Sequence, residues 1–401
     1  MIALQPSPEP PSVSLLISVL IGLPLALWTY KCLVMVALQR KIIYMGYIPP
    51  GTRSEKLEGI TLRSGDLSYE EIQISSANGV KLSALIMGGK NLTRPDCVMV
   101  YLQGNAGNPL HRIPVFTELL KSCKSVSPVV IAAAPRSYWS SSRRTPTQRG
   151  MITDYQHVLR FATRRWPESP LVLYGHSLGG AVAVCLLASL SGKSRPDSNA
   201  GAIQYPNSES GVYSGMNANL ARNSVSEETR GKEDAGYNLK MEESIRGLIL
   251  ENPFSSVPGM VHALYPQRWL PYRFLAPLAW DKWDALGAMR AASSPSINRD
   301  SVHNDTEDAK SAWSEANSRS RSRFETTLQR VAKDMLVVVS GRDEIVPRKM
   351  GRALYEVRPC GGSAKFVVIE DALHEDAWRQ RQWVKEISRY LKRVSNQEKE
   401  R

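Results

Sequence analysis

The chain has 401 residues, 42% of them hydrophobic and 22% charged, which excludes a fibre or a wholly disordered polypeptide and allows a single large core. Lysine and arginine outnumber aspartate and glutamate by 51 to 38, a net charge of +13 spread along the sequence. The excess therefore reads as a solvated basic surface, and no nucleic-acid-binding signature accompanies it. Cys32, Cys97, Cys123, Cys185 and Cys360 are scattered, with no CxxC pair, so neither a disulfide framework nor a zinc site is expected, and no cofactor or metal is called for.

A short tail, residues 1–11, precedes a run without charge from Ser12 to Tyr30. At 1.5 Å per residue that run spans about 28 Å, close to the hydrocarbon thickness of a bilayer. Apolar character resumes after Lys31 through Leu38, so residues 12–38 are expected to be an uncleaved single-pass anchor. Lys31, Arg40 and Lys41 follow the run, and the charge rule places the carboxy-terminal side in the cytosol, with the organelle (endoplasmic reticulum or plasma membrane) left open. The sequons at Asn91 and Asn304 would matter only on the lumenal side.

Beyond the anchor, residues 60–395 are expected to form one domain. Residues 69–88 read as two β-stretches joined at Ala77-Asn78-Gly79, a hairpin. Six short apolar runs follow, at 97–103, 128–134, 170–175, 246–251, 335–340 and 365–370. Continuous rather than alternating hydrophobicity is what strands buried on both faces require. Helical spacing at 151–166, 179–190, 347–357 and 375–394 alternates with them, so the expected class is α/β, a mostly parallel sheet with helices on both faces. Residues 191–244 carry only five Leu, Ile, Val or Phe among 54, and 291–323 are similarly polar; both are expected to be disordered insertions.

The stretch LVLYGHSLGGAVAVCLLASL runs a buried strand into Gly175-His176-Ser177-Leu178-Gly179 and then an apolar helix. A nucleophile raised on a sharp strand-to-helix turn needs small neighbours, and Gly175, Gly179 and Gly180 supply them. Ser177 is thus the candidate nucleophile. Serine needs a base held by a carboxylate, in the chain order Ser, acid, His. Of six histidines, His176 lies inside the elbow and reads as packing, His111, His157 and His262 break the order, and His303 lies in a polar insertion. His374 remains, on the loop before the last helix. Asp343, in the turn after the 335–340 run, is the first choice of acid, with Glu251, Glu344 and Asp371 as alternatives. Two backbone N–H groups should face the developing oxyanion: that of Leu178, after the nucleophile, and that of Asn105 in the QGNAGN loop at 103–108, with Gly104 as alternate.

With QGNAGN at 103–108, GHSLGG at 175–180, ENPF at 251–254, GRDEIVP at 341–347 and a late His374 behind an amino-terminal anchor, the chain resembles the membrane-anchored α/β-hydrolase-domain proteins related to the yeast bud-emergence protein. The resemblance covers roughly residues 12–390 apart from the insertions. It implies the α/β-hydrolase fold, Ser177, Asp343 and His374 as a triad, and hydrolysis of esters or thioesters, of lipids or acylated proteins. Two departures stand out: Gln103 where the family has histidine, and a degenerate tyrosine- and glycine-rich segment at 135–150. The apolar, aromatic stretch 257–283 is expected to form a short cap over an acyl-chain pocket. A different class of function, a non-catalytic scaffold of the same fold acting in cell polarity or membrane traffic, remains as the alternative.

Overall fold

A computed structural model describes residues 12–59, 67–90, 92–190, 236–268, 270–294 and 325–399. Its centre is an eight-stranded sheet of order β1-β2-β4-β3-β5-β6-β7-β8. The strands are β1 (Leu67–Ser75), β2 (Lys81–Gly89), β3 (Cys97–Leu102), β4 (Pro128–Ala133), β5 (Leu171–His176), β6 (Ile245–Glu251), β7 (Leu336–Ser340) and β8 (Lys365–Ile369). β1 and β2 form the expected hairpin, and β2 also runs antiparallel to β4. From β4 to β8 every pairing is parallel. This is the α/β-hydrolase fold, with the elbow strand β5 at mid-sheet.

Every residue of β3, β4, β5 and β7 is buried, so both faces of the sheet are covered, as the uninterrupted apolar runs require. The described helices include α1 (Val13–Ala37), α2 (Ile113–Ser122), α3 (Gln148–Arg165), α4 (Leu178–Leu190), α5 (Val257–Leu264), α6 (Ala285–Ser293), α7 (Thr327–Ala332), α8 (Arg348–Glu356) and α9 (Arg381–Lys399). α2 packs against α9; α3 packs on α4, which in turn meets α6 and α7. α4 is buried almost all round because it lies between the sheet and these neighbours.

α1 is 25 residues long and strongly apolar, with Lys31 its one charged residue and no residue buried. It widens to a π turn at Ser18–Gly22, just before Pro24, whose ring would otherwise strike the carbonyl one turn back. The packed domain begins earlier than residue 60: Tyr44 is buried, its hydroxyl accepting from Trp283 Nε1 at 2.9 Å, and Met45 N–H bonds Asn105 O at 2.7 Å. It also ends later than 395, since α9 continues to Lys399.

Two expectations of disorder need correction. Residues 236–244, assigned to the first insertion, are helical. Met241 is buried there, Arg330 Nη2 bonds Glu242 O at 2.7 Å, and Tyr237 OH bonds Arg160 O at 3.1 Å, so tertiary contacts hold a segment too polar to reveal itself by periodicity. Residues 291–293, assigned to the second, are the last turn of α6, with Ala292 buried. The tail 1–11, residues 191–235 and 295–323, and both sequon asparagines lie outside the described residues.

Candidate active site

The elbow is built by exclusion. Ser177 sits at φ 54°, a left-handed conformation that carries its side chain out of the strand. A Cβ on Gly179 would fall on the Leu102 carbonyl, 2.5 Å from its carbon and 2.8 Å from Gln103 O. A Cβ on Gly175 would lie 2.6 Å from Gly180 Cα. Both positions therefore admit only hydrogen. Ser177 N–H is anchored on Glu251 O at 2.9 Å, and the residue is 7% exposed.

β7 ends beside β6, and β8 beside β7, and these two strands deliver the other candidates. Asp343, three residues past β7, turns Oδ1 back to accept the N–H groups of Ile345 (2.9 Å) and Val346 (2.7 Å). Its other oxygen, Oδ2, lies 2.8 Å from His374 Nδ1, and both side chains are almost fully buried. That contact assigns the Nδ1 proton to the Asp343 side and leaves Nε2 as acceptor. Glu344 accepts the His374 N–H at 3.0 Å through its side chain, and Asp371 is exposed. Glu251, the second choice of acid, does not face the histidine; it accepts from Tyr174 OH. Burial pushes the Glu251 carboxyl above its ordinary range, with the Tyr174 bond and the Arg112 charge opposing.

His176 does more than fill space. Its ring centroid is 5.0 Å from that of His374, and its Nε2 lies 3.2 Å from His374 O, which also accepts from Asn252 Nδ2 at 2.8 Å. On its other side, Arg112 Nη2 approaches His176 Nδ1 at 2.8 Å and Glu375 Oε2 at 2.5 Å. Arginine can only donate, so Nδ1 accepts and Nε2–H donates to the His374 carbonyl. Burial, and then the Arg112 and His374 charges, hold the His176 imidazole well below its ordinary pKa, which keeps this tautomer neutral. His176, His374 and Glu375 present ligand atoms within 4.8 Å of one another. The Arg112 guanidinium already occupies two members of that cluster, so a cation there would meet a fixed positive charge.

The QGNAGN loop lies against the elbow: a Cβ on Gly104 would sit 3.6 Å from Ser177 Cβ. Asn105 O is held by Met45 N–H and by Tyr138 OH at 2.9 Å. Among the described residues the N–H groups of Asn105 and Leu178 are not spent on another hydrogen bond. Gln103, in place of histidine, is buried and bonds Gly107 O at 3.3 Å through Nε2. Asn108 caps the next turn, its Oδ1 accepting from Leu110 N–H at 2.8 Å. The divergent 135–150 segment keeps a defined shape: Arg136 Nη2 pairs with buried Asp154 at 2.8 Å, and Ser137 and Trp139 adopt positive φ.

No family model matches the chain. Over 168 residues it is 31% identical to the α/β hydrolase domain-containing protein WAV2 of Arabidopsis thaliana, covering 41% of this chain and 49% of the relative. Over 152 residues it is 27% identical to protein bem46 of Schizosaccharomyces pombe, covering 37% and 48%. By sequence the chain is thus similar, over part of its length, to these α/β-hydrolase-domain proteins. A lysophosphatidylserine lipase, ABHD12 of Macaca fascicularis, is 35% identical over 107 residues, 26% of each chain. The matched part thus spans about half the length of the first two relatives and a quarter of the third. Among solved structures, the Pyrococcus furiosus esterase Pf2001 aligns over 82% of this chain and 93% of its own, with 15% identity and a TM-score of 0.46.

Sequence reasoning passed over Arg112, Asn252 and Tyr138. Asn252 had a visible signal, an asparagine directly after a buried strand, the residue type that tolerates its φ of 46°. Arg112 had none, because its partner Glu375 lies in a distant part of the chain.

Proposed function

We propose that the chain is a membrane-anchored serine hydrolase that cleaves carboxylic ester or thioester bonds in lipid or acylated substrates. The observation that carries this is the buried 2.8 Å contact between His374 Nδ1 and Asp343 Oδ2, placed against an elbow that holds Ser177 at positive φ. In this reading His374 Nε2 takes the Ser177 hydroxyl proton as Oγ attacks the acyl carbon. The N–H groups of Leu178 and Asn105 receive the oxyanion. Collapse of that intermediate expels the alcohol or thiol, which leaves with the proton carried by His374. Water, deprotonated in turn by His374, then cleaves the acyl-enzyme and frees the acid and Ser177.

The anchor reading rests on the length and composition of α1. Residues 257–283 supply α5 and a 3₁₀ stretch at Pro271–Leu278, and with the end of α1 and the short helix after it they line an open apolar pocket of about 100 Å³ bordered by Met35, Val36, Ile42, Val261, Leu275 and Leu278. Because one relative is named a lysophosphatidylserine lipase, lysophospholipids are the first substrates to assay, followed by monoacylglycerols and S-acyl peptides. A fluorophosphonate probe should label the wild type and fail to label Ser177→Ala. Folded wild type that resists the probe, or a Ser177→Ala protein that still reacts, would overturn the serine mechanism.

A further inference from the structure

The residues of the 257–283 segment that face outward are not those of a solvated cap. Leu264, Phe274, Leu278 and Trp280 are 59%, 66%, 52% and 55% exposed. From Asn252 to Trp280 the sequence contains no aspartate or glutamate, while Arg268 and Arg273 are present. Exposed aromatic and aliphatic groups gathered on one short segment mark an interaction surface.

What this surface meets follows from its attachment to α1. Lys31 Nζ lies 4.8 Å over the Tyr272 ring. Nine residues later in sequence, on the short helix Gln39–Ile43 that follows a break at Leu38, Arg40 Nε pairs with Asp281 at 3.0 Å and its guanidinium lies 5.1 Å from the Trp280 ring. Gln39 closes the joint, donating to Leu278 O at 3.2 Å and accepting from Trp280 N–H at 2.7 Å. The segment therefore runs beside the end of α1 and the short helix that follows it, which fixes its height relative to the span. A hydrocarbon core of about 30 Å needs about 20 residues, so a span entered at Val13 is left near residue 33. Tyr272 and Trp280 then flank the level where a bilayer gives way to headgroups, the depth that tryptophan, tyrosine and arginine favour.

We infer that the 264–280 segment is a second membrane contact: it lies in the interface of the same leaflet that α1 leaves, with Phe274 and Leu278 in the acyl region and the arginines among anionic headgroups. The inference rests on α1 spanning the membrane. It adds that the catalytic domain is clamped to the bilayer by two elements rather than tethered by one, which fixes its orientation and brings the cap cavity to the lipid surface.

The test uses the full chain in nanodiscs of phosphatidylcholine and phosphatidylserine. Cys32 and Cys360 are replaced by serine, and a nitroxide is placed in turn at Phe274→Cys, Leu278→Cys, Leu20→Cys in α1, and Lys385→Cys on the exposed part of α9. Accessibility to oxygen relative to a water-soluble nickel complex should be several-fold higher at 274 and 278 than at 385, and highest at 20. A lipid-like value at 20 with water-like values at 274 and 278 would overturn the second contact and leave the anchor intact. Low accessibility to both reagents at 274 and 278 would overturn it in favour of a covering protein segment. A water-like value at 20 would overturn the anchor reading and this inference with it.

Discussion

Gly179→Ala tests the elbow's construction directly. The added methyl would stand 2.5 Å from Leu102 C and 2.8 Å from Gln103 O, against an ordinary carbon–carbon approach of about 3.5 Å or more, and every atom it meets is backbone. No side chain can rotate out of the way. The start of α4 and the end of β3 must therefore part by about 1 Å, a distortion at the upper end of the ~1–3 kcal/mol expected for overpacking. At roughly 2–4 °C per kcal/mol for a large domain, the midpoint of thermal unfolding should fall by about 6–12 °C. The same movement shifts the QGNAGN loop relative to Ser177, and a displacement of about 1 Å in a catalytic array costs roughly 100-fold in rate. Differential scanning fluorimetry and the rate of fluorophosphonate labelling measure the two effects. Gly104→Ala is the control, since its methyl would meet His176 Nδ1 at 3.5 Å and Ser177 Cβ at 3.6 Å, ordinary contact distances. A Gly179→Ala protein that melts and reacts like the wild type would refute the close approach of α4 to β3 on which this account of the elbow depends.

Two further changes probe the carboxylates. Asp343→Asn preserves shape but turns an acceptor of the His374 Nδ1 proton into a group that can donate, so turnover of a lysophospholipid or short ester should fall by about 10⁴-fold with little change in melting temperature; activity within tenfold of wild type would remove Asp343 from its proposed role. Glu251→Gln addresses pH: because the folded carboxyl titrates above the ordinary glutamate value of about 4.3, its contribution to stability is complete below that value and is lost as pH rises through the raised one. The variant should therefore lose less stability than wild type between acid and neutral pH in parallel melts, and parallel curves would show that Glu251 is not held protonated by the fold.

Much of this architecture was readable from local pattern. Strands such as Val98–Leu102 and Leu171–Gly175 are apolar at every position because helices cover both sides, and the elbow glycines are required by clashes with backbone that no other residue type avoids. What could not be read locally depends on distant partners. The helix at 236–244 offers the core chiefly Met241 and is otherwise held by Arg160, Thr327 and Arg330 from other parts of the chain. α2 has Pro114 in its first turn and only ten residues, short enough to be lost among the flanking loops. His176 was expected to be mere packing, yet it acts in a chain of hydrogen bonds whose other end is Arg112; one ring nitrogen meets Arg112 and the other the His374 carbonyl, a division of labour no spacing rule encodes.

The same chain explains how two carboxylates at adjacent strand ends can be kept from competing for one histidine. Asp343 lies in a tight turn where two backbone N–H groups claim Oδ1 and leave Oδ2 aimed at His374. Glu251 is still on its strand, its carbonyl holding Ser177 N–H and its carboxyl turned to Tyr174 of the neighbouring strand. For Glu251 to take over the histidine it would have to abandon the Tyr174 hydroxyl in a fully buried site, leaving a polar group unsatisfied at a cost of about 1–3 kcal/mol. His374 in turn would have to rotate against a carbonyl fixed by both Asn252 and His176. The backbone of the histidine loop is thus pinned from the β6 side while its ring is aimed from the β7 side. Orientation of the proposed base therefore depends on the sheet keeping β5, β6, β7 and β8 in register, which is why residues as remote in sequence as Arg112 and Glu375 belong to the same device.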